Sequence, residues 1–209
     1  MVAEYISIHP DNPQPRLVRH ACDIIRQGKV GVIPTDSAYA LCCLTGNKDA
    51  VTRISRIRQI SKKHNFTLLC RDLSELSVYA KVSNPVYRLL RHHTPGPYTF
   101  ILPATREVPR RLLNDRRHTI GIRVPGGAII SALLEEMGEA LMSCSLILPD
   151  MEDPESDPVE INHKIGTVVD VIVDGGVLAP FATTVVSFDD ASVPSVVRVG
   201  QGDPAPFEY

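Results

Sequence analysis

The sequence predicts a single-domain, three-layer α/β fold with a strongly twisted, mixed β-sheet and helices on both faces. Three observations lead to this prediction. Apolar runs typical of strands alternate with amphipathic helical patterns as far as residue 165. Strand patterns then follow one another, which favours a mixed sheet over a purely parallel one. No repeat or low-complexity tract divides the 209 residues, so one domain is predicted to span residues 1–209.

The predicted strands are short runs rich in Val, Ile, Leu and Phe that end at Pro, Gly or polar residues. Val30–Ile33 is apolar and β-branched, and Pro34 ends it because proline cannot donate to a sheet ladder. The stiff turn Thr94–Pro97 introduces another strand. In chain order, we predict strands at residues 5–8, 30–33, 66–70, 98–102, 119–124, 141–145, 168–173, 184–188 and 196–199.

The predicted helices combine an apolar stripe at helical spacing with a start or stop signal. Gly28 and Gly138 can terminate two of them. Asp72 and Glu75 form a capping box, and Asp157 is expected to cap the last helix. In chain order, we predict helices at residues 15–27, 49–59, from 72, from 83, at 129–137 and at 158–165, with one helical turn at 109–113.

Composition excludes several classes of protein. The first residues have neither the basic start nor the apolar core of a signal peptide, and no apolar run reaches the roughly 18–20 residues that span a membrane. A cytoplasmic protein without membrane contact is therefore expected. The five cysteines form no CxxC pair and are interpreted as reduced core thiols. No metal site is predicted, because Cys and His do not cluster at ligand spacing.

Charge is distributed unevenly along the chain. Residues 53–123 carry 15 Lys and Arg against four Asp and Glu, whereas the remainder carries 7 against 20. The basic segment fits a surface or cavity that binds phosphate or nucleic acid. It fits equally well an ordinary solvated face that pairs with the acidic segments. Charge alone does not separate these two interpretations.

Small polar residues stand at the ends of several predicted strands. Hydroxyl groups and arginines at such ends can bind phosphate or carboxylate oxygens, although each cluster alone is more typical of turn chemistry. Asp36 could orient a metal or a substrate amine, but a cap for the turn after Pro34 is preferred. No glycine-rich phosphate loop and no Ser-His-Asp pattern accompanies them. The clusters are residues 35–37, 94–99, 121–123, 143–145 and 183–184.

Six motifs in the same order resemble the threonylcarbamoyl-AMP synthase family, also called YrdC-like proteins, over nearly the whole chain. The first, Pro34–Leu41, reads Pro-Thr-Asp-Ser-Ala-Tyr-Ala-Leu against a family pattern Pro-Thr-[Glu/Asp]-[Ser/Thr]-x-Tyr-[Gly/Ala]-Leu. Residues 56–59, 64–68 and 70–75 look most like the YciO subgroup. The other motifs are Pro95–Thr99, Gly121–Pro125, Ser143–Ser145, Thr183–Val186 and Arg198.

The resemblance implies a YrdC/RibB-like fold with a concave basic cavity. It also implies a reaction in which L-threonine and bicarbonate give N-carboxythreonine, which attacks the α-phosphate of ATP. ATP would enter as its Mg²⁺ complex, pyrophosphate would leave, and threonylcarbamoyl-AMP would serve tRNA t6A modification. No tightly bound cofactor is expected. Such a site works mainly by holding phosphates in line.

The resemblance also assigns roles to residues of this chain. Thr35 and Tyr39 would line the amino-acid side, and Arg123 and Thr183 would hold the threonine carboxylate or the adenylate. The remaining positions would face the phosphates and the ribose. Of all these residues, Arg58, Arg123 and Ser145 would be catalytic. The residues predicted to face phosphates and ribose are Arg58, Thr99, Ser143, Ser145 and Arg198.

Two family signatures are altered in this chain. The Lys-x-Arg signature reads Arg58-Gln-Ile60, and the Ser-x-Asn signature reads Ser145-Leu-Ile147. Arg is not equivalent to Lys at a phosphate. Lys62, Lys63 and His64 are candidate substitutes for the lost cation, and Leu69 stands near a position where many members carry His. Nucleotide binding, a slower reaction or a different acyl donor is therefore also consistent with the sequence, as is a relic of the fold that keeps a small-anion site without turnover.

Binding of double-stranded RNA or tRNA is the alternative function. The basic segment fits contact with a phosphate backbone. Its few aromatic residues all lie in apolar patterns, which gives little support to base stacking. On this interpretation the protein acts in tRNA or rRNA maturation or in translation without making an adenylate.

Overall fold

The strands form one twisted sheet that extends across the protein. The computed structural model describes residues 2–60, 66–114, 117–149, 151–188 and 193–208. The ten strands are β1 Glu4–Ser7, β2 Gly31–Ile33, β3 Ala40–Leu44, β4 Thr67–Leu69, β5 Tyr98–Pro103, β6 Thr119–Arg123, β7 Leu141–Ser145, β8 Val171–Asp174, β9 Thr184–Ser187 and β10 Ser195–Arg198. Their order in the sheet is β1-β8-β2-β3-β7-β4-β6-β5-β9-β10.

Six α-helices lie among the residues that the structure describes, and none of them is long and apolar enough to cross a membrane. Short 3₁₀ turns lie at Arg110–Leu112 and Ala205–Phe207. The helices are α1 Pro15–Arg26, α2 Lys48–Arg58, α3 Leu73–Tyr79, α4 Asn84–His93, α5 Ala128–Met137 and α6 Pro158–Ile165.

The prediction of a mixed sheet is confirmed. Strand β8 runs parallel to both β1 and β2, and the β4–β6 and β5–β9 pairs are also parallel. The other pairs are antiparallel. The predicted caps are present as well: Asp72 accepts from the Glu75 amide, Asp157 accepts from the Val159 amide, and Gly138 ends α5 with a φ of 70°.

One strand was missing from the sequence prediction. Strand β3 follows the Thr35–Ser37 cluster and pairs antiparallel with β2, so that Ile33 lies opposite Ala40. The residues between them form the loop of a hairpin, although Pro34 and its polar neighbours read as the end of a strand. The run Ala40–Leu44 is apolar throughout, because it is covered on both faces, and so it lacks the alternation that identifies a half-buried strand.

Two hydrophobic clusters separate the fold into three layers, as predicted. On one face, α1 and α5 pack against each other and on strand residues such as Ile33, Leu69 and Leu141. On the other face, α2, α3, α4 and α6 cover a larger cluster that includes Phe100 and Ile122. All five cysteines are free and lie buried in these clusters. Burial raises the pKa of Cys43 to about 12, which is consistent with inert core thiols.

The register shows which part of the sheet stays uncovered. Residues paired across strands share a face. Ser143 pairs with Thr67, and Thr67 pairs with Gly121. Leu69 and Leu141 lie on the same face, two residues from Thr67 and Ser143 along the same strands, and α1 and α5 pack on them. The two helices do not extend to Thr67, Ser143 and Gly121, so this part of the face is open from β7 to β10.

Glu155, in the acidic connection between β7 and α6, is fixed to the fold by two hydrogen bonds. The Glu155 amide donates to the Leu146 carbonyl at 2.8 Å, and Lys164 Nζ donates to Glu155 Oε2 at 2.5 Å. Burial raises the pKa of the Glu155 carboxyl, but the bond from Lys164 and backbone amides outweigh it, so its pKa lies below the ordinary value of 4.5. The carboxylate is therefore held in its charged form.

Replacing Glu155 with Gln should make stability less dependent on acidic pH. A depressed pKa stabilises the fold above the unfolded-state value near 4.5, and that contribution is lost as pH falls through the folded-state value. Chemical denaturation at pH 7 and at pH 3.5 measures this. The deficit of the variant should shrink at the lower pH, and a control at an exposed position of the same connection, Glu152→Gln, should show no comparable change. A deficit of equal size at both pH values would contradict the assignment.

Candidate functional site

A cavity of about 320 Å³ lies on the open part of the sheet. Six neighbouring strands build it, from β7 at one wall through β4, β6 and β5 to β9 and β10 at the other. Thr67, Gly121 and Thr99 come from the central strands. Ser145 contributes from β7 and Val185 from β9. The cavity volume falls at the lower end of the range of about 300–1,000 Å³ that holds small ligands.

Gly121 lines the base of this cavity, where a side chain would contact the neighbouring strands. A Cβ atom at this position would lie 3.0 Å from Thr67 Oγ1, 3.3 Å from the Phe66 carbonyl oxygen and 3.4 Å from Thr99 Cγ2. The glycine of the Gly-x-Arg motif therefore allows a close approach of its neighbours, and any side chain here would have to displace Thr67 or Thr99 in the cavity lining.

A β-bulge directs Arg198 into the cavity. The register between β9 and β10 shifts after Val196, so that Arg198 lies opposite Val185. Val197 is the additional residue, and both Val197 and Arg198 line the cavity. Without the shift, Val197 alone would face Val185 and Arg198 would point to the opposite face, because strand side chains alternate.

Hydrogen bonds to Thr183 hold the Arg198 guanidinium. Its Nε and Nη2 donate to the Thr183 carbonyl oxygen at 3.2 and 2.9 Å. The Thr183 hydroxyl lies 3.3 Å from Nη2 and 2.8 Å from the Thr99 hydroxyl. Partial burial lowers the pKa of Arg198 below its usual value. Three predicted site residues therefore form one connected group on the β5–β9–β10 side.

Arg58 supplies a second cation from the β7 side of the cavity. It is the last residue of α2, and Gln59 ends the helix in the left-handed region with a φ of 50°. Arg58 Nε is buried without a hydrogen-bond partner. Burial raises the pKa of the nearby Cys144 thiol to about 11, and Arg58 opposes this shift. The described residues that line the cavity include two arginines and no carboxylate.

Arg123 lies beside the cavity rather than in its lining. Its Nη2 donates to Asp36 Oδ1 at 2.6 Å and lies 3.2 Å from Ser37 Oγ, and its Nε has no partner. Asp36 Oδ2 also accepts from the Gly126 amide at 2.8 Å. Burial lowers the pKa of the Arg123 guanidinium, and Asp36 opposes that shift.

The interpretation of Asp36 as a turn cap is wrong. Thr35 caps this turn instead, because its Oγ1 accepts from the Ser37 and Ala38 amides, both at 3.2 Å. The Asp36 carboxylate reaches across to β6, where it compensates a buried guanidinium. The sequence did not reveal this pairing, since the two residues are 87 positions apart.

Thr35 and Tyr39 do not line the cavity. The Thr35 hydroxyl donates to the Ala38 carbonyl at 2.6 Å, within its own turn. The Tyr39 hydroxyl donates to the Gly176 carbonyl at 2.8 Å and accepts from the Gly175 amide at 3.1 Å. Burial raises the pKa of Tyr39. Both hydroxyls are thus satisfied by the fold itself, and neither residue contributes to the lining of this cavity.

The cavity therefore brings together Arg58, Thr99, Ser145, Thr183 and Arg198. Ser143 lies beneath it, with its hydroxyl donating to the Thr67 carbonyl at 3.3 Å. Sequence reasoning did not select Thr67 as a site residue, although it is the polar residue of the predicted strand at 66–70 and lies in a stretch that resembles the YciO subgroup. The aliphatic residues of the lining, which gave no signal of function, are Ile101, Val185 and Val197.

The two altered signature positions, residues 60 and 147, lie in different environments. Ile60 packs against the larger hydrophobic cluster, whereas Ile147 lines the cavity next to Ser145. Leu69 is fully buried beneath α1 and α5. The candidate substitutes Lys62, Lys63 and His64 lie outside the described residues. Within the described part of the chain, no cluster of three His, Cys, Asp or Glu residues could hold a metal ion.

Comparison with protein families gives a match over residues 23–200. The matching model is Sua5_yciO_yrdC, described as telomere recombination. The chain is 53% identical over 206 residues to the uncharacterized protein YciO of Escherichia coli, covering 99% of this chain and all of that protein. It is 30% identical over 167 residues to threonylcarbamoyl-AMP synthase of Halorhodospira halophila, covering 79% of this chain and 86% of the synthase.

Solved structures agree with the fold. The crystal structure of E. coli YciO superimposes with a TM-score of 0.95 over 99% of this chain and 100% of that one. The structure of P. abyssi Sua5 complexed with L-threonine superimposes with a TM-score of 0.86 at 23% identity. It covers 94% of this chain but 57% of the Sua5 chain, and at this identity it supports the fold alone.

Proposed function

Since the chain belongs to the Sua5/YciO/YrdC family, we propose that it binds an adenine nucleotide in the cavity and slowly forms threonylcarbamoyl-AMP from ATP, L-threonine and bicarbonate. The single observation that carries this proposal is the convergence of five predicted site residues on one cavity, with a guanidinium on each of two walls. Relatives named threonylcarbamoyl-AMP synthase support it. We expect the reaction to be slow because residues 60 and 147 depart from the family signatures.

The proposed reaction needs no covalent bond to a side chain of the protein. The N-carboxythreonine carboxylate attacks the α-phosphate of ATP, an anhydride oxygen–phosphorus bond forms, and pyrophosphate leaves with Mg²⁺. Arg58 and Arg198 would offset charge that develops on the phosphoryl oxygens. The hydroxyls of Thr99, Thr183 and Ser145 would donate to phosphate or ribose oxygens. Arg123, already paired with Asp36, would act from the edge of the cavity through its unpartnered Nε.

Pyrophosphate release tests the proposal. With ATP, Mg²⁺, bicarbonate and L-threonine, release should depend on threonine, and Arg58→Ala should lower the threonine-dependent rate roughly 10- to 100-fold, as expected for loss of a charged hydrogen-bond donor. Arg56→Ala is the matched control, because Arg56 is an exposed arginine of the same helix outside the cavity lining. Pyrophosphate release no greater than in the reaction without threonine would contradict the synthase proposal.

Binding of duplex RNA is the second candidate. The observation that favours it is the set of exposed cations on the layer that covers the opposite face of the sheet, which includes Arg56, Arg88 and Arg91. Such binding would weaken steeply with ionic strength, whereas nucleotide binding in a partly enclosed cavity would respond less. Strongly salt-dependent RNA binding without threonine-dependent pyrophosphate release would favour this alternative.

A further inference from the structure

We propose that Thr184 is a positioning residue, whose buried hydroxyl fixes the direction of the Arg198 guanidinium through the chain segment that follows β10. This segment, residues 199–208, is called the C-terminal strap. The role of Arg198 in holding a nucleotide rests on the proposed function, whereas the link between Thr184 and Arg198 needs no ligand. Thr184 is not part of the cavity lining, so it would act on a ligand only through its neighbours.

The C-terminal strap connects the cavity wall to the core on the opposite face of the sheet. Arg198 lines the cavity at the end of β10, which is the edge strand next to β9. Phe207 belongs to the larger hydrophobic cluster and is 1% exposed. Its ring packs against those of His93 and Tyr98, with centroids 4.9 and 5.4 Å away. The strap therefore crosses the edge of the sheet and ties the end of β10 to the core.

Thr184 binds the backbone of the strap twice. It is fully buried and lies opposite Tyr98 in the β5–β9 pair, so its side chain is on the core face of β9. Its Oγ1 donates to the Gly202 carbonyl at 2.5 Å and accepts from the Gly200 amide at 2.9 Å. One hydroxyl thus restrains the chain two and four residues after Arg198.

Gly200 brings this restraint to the carbonyl group that holds Arg198. A Cβ atom at residue 200 would lie 2.5 Å from both the carbonyl carbon and the carbonyl oxygen of Thr183. The Gln201 amide donates to the Ala182 carbonyl at 2.9 Å. The strap therefore lies directly against the peptide group whose oxygen accepts from Nε and Nη2 of Arg198. Movement of the strap would shift this acceptor and the guanidinium with it.

Hydrogen exchange of the Arg198 Nε–H group, followed by NMR on the full chain without nucleotide, tests the link. The signal is assigned by its loss in Arg198→Ala. Thr184→Val keeps the β-branched shape but leaves the Gly200 amide and the Gly202 carbonyl without this partner. The strap should then move, and exchange should become roughly tenfold faster.

Two further substitutions of Thr184 keep this test decisive. Thr184→Ser retains the hydroxyl and should exchange like the parent protein, although it removes a buried methyl group. Thr184→Cys has a weakly bonding thiol, should also exchange faster, and serves if the valine variant does not fold. Exchange at the parent rate in a folded valine or cysteine variant would overturn the link between Thr184 and Arg198.

Calorimetric titration with AMP, the nucleotide part of the proposed product, measures the consequence for binding. Thr184→Val should bind AMP roughly tenfold more weakly. In an Arg198→Ala background the same substitution should cause no further loss, because Thr184 acts through that guanidinium. A loss of equal size in both backgrounds would indicate a general structural effect and would overturn the positioning role.

Thr105→Val is the matched control for both measurements. The Thr105 hydroxyl also donates to a carbonyl, that of Val78 at 2.6 Å, and accepts from an amide, that of Glu107 at 3.3 Å, but it lies outside the cavity lining. Exchange at Arg198 and AMP affinity should therefore stay at the parent values, and an equal effect of this control would contradict the inference. Faster exchange in Thr184→Val without AMP binding by the parent protein would overturn the proposed function and leave the positioning role standing.

Discussion

Replacing Asp36 with Ala should lower the free energy of unfolding by about 3–5 kcal/mol, because it leaves the Arg123 guanidinium buried without its counter-charge. The side chain of Arg123 is 6% exposed and that of Asp36 14%, so neither group can recover solvation without movement of the β2–β3 loop. The substitution also removes the acceptor for the Gly126 amide. Urea denaturation of the variant and the parent protein measures the change.

A surface ion pair provides the control for the buried one, because the loss of unfolding free energy should differ between them. Asp23 pairs with Arg26 at 2.9 Å, but its side chain is 54% exposed, so Asp23→Ala should cost less than about 1 kcal/mol. The double variant Asp36→Ala/Arg123→Met should recover much of the loss, because it removes the unpaired charge as well. A loss for Asp36→Ala as small as that for Asp23→Ala would contradict the view that Arg123 depends on this carboxylate.

Replacing Arg198 with Ala should weaken AMP binding roughly 10- to 100-fold, which corresponds to loss of a charge-assisted bidentate contact. The bulge in β10 and the bonds to Thr183 hold this guanidinium at the cavity wall before any ligand binds. Arg198→Lys should retain only part of the affinity, because an ammonium keeps the charge but loses the planar fork. Calorimetric titration measures both variants.

An exposed arginine outside the cavity provides the control for this prediction. Arg91 lies on α4 and is exposed. Arg91→Ala should therefore bind AMP like the parent protein, and both alanine variants should melt cooperatively. Unchanged AMP affinity in Arg198→Ala would remove the β10 wall from the binding site and would limit the nucleotide to the Arg58 side.

Much of the fold could be predicted from local patterns. The bounds of β7 and α6 agree with the sequence prediction, because an apolar run in one case and a Pro-started, Asp-capped helix in the other are set by neighbouring residues. The missed strand β3 shows the limit of this approach. The apolar run of β3 carries no alternation. Pro34 and the three polar residues after it are typical of a strand end, although they lie in the loop of a hairpin.

The candidate site, like the fold, could be predicted only in part from local patterns. The sequence by itself determined the residue types that end on the open face, the family to which their order belongs, and the altered positions 60 and 147. Only the tertiary structure decided which of them share a cavity. The extent of α1 and α5, the register shift at Val196 and the pairing of Asp36 with Arg123 all depend on contacts between distant segments. Such contacts leave no local pattern in the chain, because burial and register are properties of the assembled sheet.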